Sequence, residues 1–372
     1  TGKSVHLSLC FNPSHLAFIT PVVQGRVRAA QERLKDSERN QVMGVVIHGD
    51  AAFSGQGVIQ ESLNLSELEG YRSGGTLHIV VNNQVGFTTN PSDSRSSRYA
   101  TDVAKLLQVP VFHVNGEHPD AVAQAIKLAM EFRSQWGRDV VIDMYCYRRY
   151  GHNEGDEPRY TQPEMYKRVD RQATVRENFV RNMVSLGVVS DADAQAIASS
   201  CKKALEEALD RVRGGNGEEP KDTGSPIRSL WREFHGGLES EEQPHQTSVA
   251  NDVVLDLLKR ITTEPDIQLN RKLARLIKRR SEMLDGKPLD WWAGEALAFA
   301  SLLREGTRIR LSGQDSQRGT FSHRHAVLHD QKTGQEVSAF DGVPGSSKLF
   351  KVYNSPLSEA AVLAFEFGYS LE

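Results

Sequence analysis

Through the first half of the chain, short runs of apolar and β-branched residues alternate with stretches whose apolar positions recur at helical spacing. That alternation is the pattern of βαβ units, and it predicts an α/β fold built on a doubly wound, mostly parallel sheet with flanking helices. The predicted strands are Val5 to Cys10, Met43 to His48, Thr76 to Asn82, Pro110 to Asn115 and Val140 to Tyr147. Most are nearly continuous apolar runs, as expected of strands with helices on both faces. Helices are predicted over Pro21 to Leu34, Gln56 to Leu68 and Pro119 to Trp136, the last with a proline in its first turn.

From Gln162 to Arg213 the pattern is wholly helical, with a break at Val189-Ser190-Asp191 where Ser190 or Asp191 can cap the next helix. Residues 214 to 246 are rich in Gly, Glu, Pro and Ser, the composition of a linker or surface loop. Helices follow at Val249 to Ile261, Pro265 to Leu284 and Leu289 to Glu305, then strands at Arg308 to Leu311, Ala326 to His329 and Leu349 to Tyr353, with a helix from Ser358 onward. The organisation predicted is an α/β domain over 1–213, lacking an N-terminal part and carrying a helical extension. A linker and helical connection over 214–290 leads into a second, truncated α/β domain over 291–372. The opening Thr1-Gly2-Lys3-Ser4 and the close inside a helical pattern lead us to expect a segment of a longer polypeptide.

Charge changes the picture by exclusion. Lys+Arg 45 against Asp+Glu 48 leaves a formal charge of −3, so no global basic field draws in nucleic acid or an anionic membrane. Apolar runs such as Val45-Val46-Ile47 fall far short of the ~18 residues of a membrane helix. Cys10, Cys146 and Cys201 have no CxxC spacing, which fits reduced thiols and neither a disulfide framework nor a zinc ribbon.

Two phosphate-loop patterns fail. Gly2-Lys3-Ser4 precedes an alternating, strand-like stretch where a phosphate loop must open a helix, and Gly55-Gln56-Gly57 lacks the third glycine of a dinucleotide fingerprint because position 60 is Gln. A stronger pattern joins His48-Gly49-Asp50-Ala51-Ala52 to Val81-Asn82-Asn83-Gln84-Val85, each at the carboxyl end of a predicted strand, the edge where open α/β sheets bind ligands. Asp50 offers a carboxylate, Asn83 an amide oxygen and the backbone beyond it a carbonyl, all hard donors suited to Mg²⁺. The spacing also fits a turn aspartate capping a helix and an asparagine pair ending a strand.

Further blocks extend the pattern: Asn12-Pro13-Ser14-His15-Leu16, His48 to Phe53, Val81 to Thr89, Arg148 to Glu154, Leu311 to Asp315 and Arg318 to His325. In this order the chain resembles the family of thiamine diphosphate dependent 2-oxoglutarate dehydrogenase decarboxylating components. The resemblance implies a thiamine diphosphate-binding fold, with the second domain transketolase-like and the cofactor held at a homodimer interface with Mg²⁺. It implies Asp50, Asn83 and the Val85 carbonyl as metal ligands and Ala51 and Ala52 as lining of the diphosphate pocket. Ser14 would reach the reacting centre with His15 beside it, Leu16 would be an apolar wedge under the cofactor, and Gln314 a cofactor contact in the second domain. Glu359 would hydrogen-bond the aminopyrimidine ring. The family usually carries an acid after the Pro-Ser-His-Leu block, where this chain has Ala17.

As activity the resemblance implies oxidative decarboxylation of 2-oxoglutarate in the tricarboxylic acid cycle, with the succinyl group passed to the lipoyl arm of a dihydrolipoamide succinyltransferase and dihydrolipoamide dehydrogenase joined through the complex. The expected location is the bacterial cytoplasm or the mitochondrial matrix. The same chemistry on 2-oxoadipate and a non-catalytic scaffold paralogue remain alternatives. His323 and His325 lack a third metal ligand nearby and read better as part of a second-domain loop. His152 with Glu154, Asp156 and Glu157 reads either as an acid-base cluster or as a loop bridged to Arg148 or Arg149. Lys278-Arg279-Arg280 reads as a solvated helix end.

Overall fold

The computed structural model describes residues 5–214, 233–234, 237–238 and 246–372. The contacts divide into two units, Thr1–His235 with Leu363–Glu372, and Gly236–Val362.

In the first unit, helix α1 (Ile19–Arg33) leads to strand β1 (Gly44–Gly49), which runs without a gap into α2 (Asp50–Gly55) and then α3 (Gly57–Leu65). Strand β2 (Thr76–Asn82), the short α4 (Pro91–Ser94), a 3-10 helix (Ala100–Leu107), β3 (Val111–Asn115), α5 (Pro119–Trp136) and β4 (Val140–Tyr145) complete the sheet region. The four strands are parallel in the order β1-β2-β4-β3. One face buries Val80 and Val141 against Phe53, Ile59, Leu63 and Ala104, and the other buries Leu77, Val140 and Ile142 against Ala125 and Ala129 of α5. Beyond the sheet lie α6 (Pro163–Val169), α7 (Val175–Ser185) and α8 (Asp191–Arg213). Ser190 caps α8 as its sequence suggests, its hydroxyl accepting from the Asp193 N–H at 3.1 Å.

The second unit holds α9 (Asn251–Ile261), α10 (Arg271–Ser281), α11 (Trp291–Arg304), the parallel pair β5 (Ile309–Gly313) and β8 (Phe350–Asn354), and the antiparallel pair β6 (Val327–His329) and β7 (Glu336–Ser338). Its core joins Leu257, Leu258 and Ile261 to Trp292, Ala296, Leu303, Phe340 and Phe350. Before β8 comes α12 (Ser346–Leu349), and after it α13 (Ala360–Ser370). From Leu363 on, α13 belongs to the first unit, where Gly25 and Gly368 let it meet α1. A Cβ on Gly25 would stand 2.0 Å from the Phe365 carbonyl oxygen, and one on Gly368 2.1 Å from that of Val22.

Several expectations change. Val5 to Cys10 forms no strand: no described strand pairs with it, and Val5, Leu7 and Leu9 are exposed. Alternation supplies the side-chain pattern of a strand but not the neighbour that takes up its backbone hydrogen bonds. Pro265 to Leu284 is helical only from Arg271 on, because Asn270 caps the helix by accepting from the Lys272 N–H at 3.0 Å; the α-helix runs to Ser281 and a 3-10 helix continues it over Glu282–Asp285. β4 ends at Tyr145 rather than Tyr147. β1 is an edge strand whose Val45 and Ile47 are exposed, so both faces are not covered there. Arg280 is no solvated helix end: it is buried, its guanidinium 3.8 Å from the centre of the Trp292 ring, and Nη2 donates to the His323 carbonyl at 2.6 Å. Burial pushes its pKa down to about 10. The expected linker at 214–246 lies largely outside the described residues.

Candidate functional site

The register of β1 on β2 pairs Gly49 with Val81, so Asp50 and the Asn82-Asn83 pair leave adjacent parallel strands at the same edge. Asp50 begins α2 directly, so its side chain is fixed by the strand and the helix together and is buried. The loop after Asn83 folds back onto that helix: a Cβ on Gly86 would lie 3.0 Å from the Ala51 Cβ, and Gly86 pairs with Thr89. Asn83 Oδ1 accepts from the Val85 N–H at 3.2 Å, which orders the turn, with Gln84 at φ 65. Gln84 donates to the Cys146 carbonyl at 3.0 Å, tying the loop to the end of β4.

Burial raises the Asp50 carboxyl above its ordinary value; its own backbone hydrogen bond and Arg95 oppose the rise, and Asp143 adds to it. Arg95 Nη1 stands 3.8 Å from Asp50 Oδ2, beyond hydrogen-bond range. Among the described residues no three His, Cys, Asp or Glu side chains cluster as a metal site. A carboxylate, an amide oxygen and a carbonyl form a different donor set, suited to Mg²⁺ and leaving coordination positions for water and phosphate. The residues fit such an ion: the carboxylate is buried without a hydrogen-bonded cation, and a Cβ at Gly49, Gly55 or Gly57 would meet nothing within 4 Å.

Beneath this edge the sheet carries two polar lines that the sequence reading missed. His48 Nε2 lies 3.0 Å from His78 Nδ1, and His78 Nε2 lies 3.4 Å from Asp139 Oδ2. Burial, then the neighbouring His78, holds the His48 pKa well below the usual histidine value, so the residue preceding Gly49-Asp50 is a neutral imidazole. In the second line Asn82 Nδ2 donates to Asp143 Oδ1 at 2.9 Å, and His113 Nδ1 lies 2.9 Å from Asp143 Oδ2. His113 also lines a cavity of about 420 Å³ with Gln84, Glu117, Tyr145 and Cys146. His78, His113 and Asp143 each interrupt an apolar run singly, and only the fold reveals their partners.

His152 lies with its ring centre 4.5 Å from that of Phe87 in the Asn83 loop, and its Nδ1 is 3.2 Å from Arg148 Nη1. The expected salt bridge from this loop to Arg148 or Arg149 is absent among the described residues, because Glu157 pairs with Arg159 at 2.9 Å and Asp156 accepts from the His152 N–H at 2.8 Å; His152 instead lies against the Asn83 loop. Gly151, at φ 79, is required there because a Cβ would meet Asp156 Oδ2 at 2.8 Å. Ser14, His15 and Leu16 occupy an exposed bend in which the Leu16 N–H donates to the Ser14 carbonyl at 2.7 Å. Ala17, at φ 60, packs on the cluster that holds Phe53, so the residue standing where an acid was expected serves an apolar contact. Among the described residues no hydrogen bond ties Ser14 or His15 to Asp50 or Asn83.

In the second unit β5 pairs with β8 so that Gly313 faces Asn354, and Gln314 and Ser355 both lie just past the carboxyl ends. Gln314 Nε2 donates to Glu359 Oε1 at 3.2 Å, which joins two residues separated by 45 positions. Glu359 is exposed at that edge and Gln314 is half-buried. Arg324 forks onto Glu295 at 2.7 and 2.8 Å and orders the neighbouring Arg318 to His325 loop.

A parallel α/β sheet with a buried carboxylate and an amide loop at its carboxyl edge defines a class of ligand-binding α/β protein. Residues 4–221 match the family described as dehydrogenase E1 component, and residues 287–372 match the transketolase pyrimidine binding domain. The chain belongs to the dehydrogenase E1 component family. It is 44% identical over 383 residues to the mitochondrial 2-oxoglutarate dehydrogenase of Dictyostelium discoideum. It is 43% identical to the 2-oxoglutarate dehydrogenase E1 component of Azotobacter vinelandii, and 42% to that of Staphylococcus aureus strain N315. All of this chain is covered in each case, against 37%, 39% and 41% of the relatives, so it spans about two fifths of the length of the curated relatives it matches.

Proposed function

We propose that this chain carries the thiamine diphosphate and Mg²⁺ site of a 2-oxoglutarate dehydrogenase. The observation that carries the reading is the buried Asp50 at the end of β1, with the Asn83 loop folded onto its helix through Gly86 and Ala51. Asp50, Asn83 and the Val85 carbonyl hold the metal, and Ala51 and Ala52 line the space for the diphosphate. Gln314 orients Glu359, whose carboxylate hydrogen-bonds the aminopyrimidine ring. Bound thiamine diphosphate supplies the electron sink for decarboxylation of a 2-oxo acid. Ser14 and His15 would supply polar groups toward the reacting atoms, and Leu16 would supply an apolar contact to the cofactor. Neutral His48 and the His78–Asp139 line keep the β1–α2 junction rigid under Asp50.

The full-length protein then acts as a homodimer in the tricarboxylic acid cycle, passing succinyl groups to the lipoyl arm of a dihydrolipoamide succinyltransferase, with dihydrolipoamide dehydrogenase in the same complex. It works in the mitochondrial matrix or in the bacterial cytoplasm, in keeping with relatives of both kinds. No described helix is long and apolar enough to cross a membrane. The joint presence of Asp50, Asn83 and Glu359 favours an enzyme over a scaffold, which has no use for a metal carboxylate. The test is turnover by the full-length protein with a lipoyl domain as acceptor, comparing 2-oxoglutarate with 2-oxoadipate. The reading expects the higher kcat/KM with 2-oxoglutarate. A preference for 2-oxoadipate would reassign the substrate, and no turnover of either would remove the activity.

A further inference from the structure

We propose that Arg95 is a phosphate-binding residue of this site, donating Nε–H and Nη1–H to a diphosphate oxygen beside the metal. The proposal rests on the reading of Asp50 as metal carboxylate. Arg95 follows α4, and its side chain is only 9% exposed. Nε and Nη1 are both buried with no hydrogen-bond partner. A guanidinium holds five donors and no acceptor, so buried donors without a partner call for an acceptor, and their charge makes that acceptor an anion. Asp50 does not fill this role, because its Oδ2 is 3.8 Å from Nη1. At that distance the carboxylate feels the cation without bonding it, and Arg95 Nε and Nη1 keep their N–H groups for a ligand. Other buried arginines have donors taken up by the protein: Arg28 donates to the carbonyls of Glu69 and Arg72, and Arg280, whose Nε also lacks a partner, donates through Nη2 to the His323 carbonyl.

The groups acting on Asp50 make the arrangement consistent. Arg95 Nη1 stands 3.8 Å from Asp50 Oδ2, so a cation and a carboxylate face the same edge without bonding each other. A divalent ion bound with a phosphate adds a positive and a negative charge together, giving Asp50 its counter-charge and Arg95 its acceptor at once. Open space at Gly49, Gly55 and Gly57 leaves room for such a group.

The experiment is calorimetric titration of the full-length protein with thiamine diphosphate at saturating Mg²⁺, for wild type, Asp50→Ala, Arg95→Met and Arg95→Lys, with ligand-free thermal melts alongside. Arg95→Met should weaken binding by about tenfold to a hundredfold, the range for a charge-assisted pair. Arg95→Lys should fall between, since it keeps the charge and loses the fork. The ligand-free melting temperature of both should stay at or above wild type, because the lost donors were unpaired. Magnesium with inorganic pyrophosphate as the ligand should weaken by the same factor, which locates the loss at the phosphate end. Wild-type affinity in Arg95→Met, with Asp50→Ala abolishing binding, overturns the Arg95 assignment and leaves the metal reading intact. Failure of the wild type to bind with Mg²⁺ removes the metal reading itself. If Arg95→Met does not fold, Arg95→Lys decides: weaker binding supports the proposal and unchanged binding overturns it.

Discussion

Single side chains in this molecule are set by what lies behind them. The Cys146 thiol, at the end of β4, is pushed up to about 11 by burial, then by the charges of Asp50 and Asp143. Because the native thiol holds its proton more tightly than an unfolded one near 9, stability should fall as pH rises from about 9 to about 11, with no contribution below. Alkylation at pH 8.5 should therefore modify exposed Cys201 at least about tenfold faster than Cys146. Equal rates by peptide mapping would show that Cys146 is not held as described. Glu359 stands on a different footing, exposed and tied to Gln314. Glu359→Ala in the full-length protein should leave Mg²⁺-dependent cofactor affinity within about tenfold, since a single exposed hydrogen bond contributes about 0.5–1.5 kcal/mol or less. It should slow hydrogen-deuterium exchange at the cofactor's thiazolium carbon. Exchange at the wild-type rate would assign that role to another acid.

At the level of elements, the meeting of α1 and α13 depends on two positions without a side chain. Gly25→Ala and Gly368→Ala each force a methyl within about 2 Å of a backbone carbonyl, so each should lower stability by about 1–3 kcal/mol, read as a drop in melting temperature. An unchanged melting temperature would mean the helices separate freely. In the second unit Asp330 accepts from the backbone N–H groups of Gln268, Lys332 and Thr333, and these bonds hold its carboxyl down to about 2. A depressed carboxyl contributes above its unfolded value, near 4, and loses that contribution as pH falls through about 2. Amide exchange at those three positions should accordingly stay slow at pH 4 in wild type and quicken in Asp330→Ala.

These elements also show what the sequence displays. Apolar, β-branched runs locate β1 to β4 to within a few residues, and for the central β2 and β4 the reason is that a covered parallel strand has little choice of composition. Val5 to Cys10 carries the same signal and has no neighbour, since pairing is a property of the assembled sheet. Asp50 and Asn83 stand out because polar residues end apolar runs there. His78 and Asp143 do not, because their partners lie on other strands, and Arg95 does not, because only the fold buries it beside Asp50.

On the scale of the whole molecule, the residues proposed for the diphosphate and metal belong to the first unit, and those proposed for the pyrimidine to the second. Each set sits at the carboxyl edge of parallel strands of its own unit. The family match divides the chain in a similar way, at 4–221 and 287–372. The central claim is that the Asp50 edge holds a metal-bridged diphosphate. Its most direct test is calorimetric titration of the full-length protein with thiamine diphosphate, with Mg²⁺ present and again with the metal chelated, in wild type and Asp50→Ala. The account predicts saturable binding only for wild type with Mg²⁺. Equal affinity with the metal chelated, or unchanged affinity in Asp50→Ala, would contradict it.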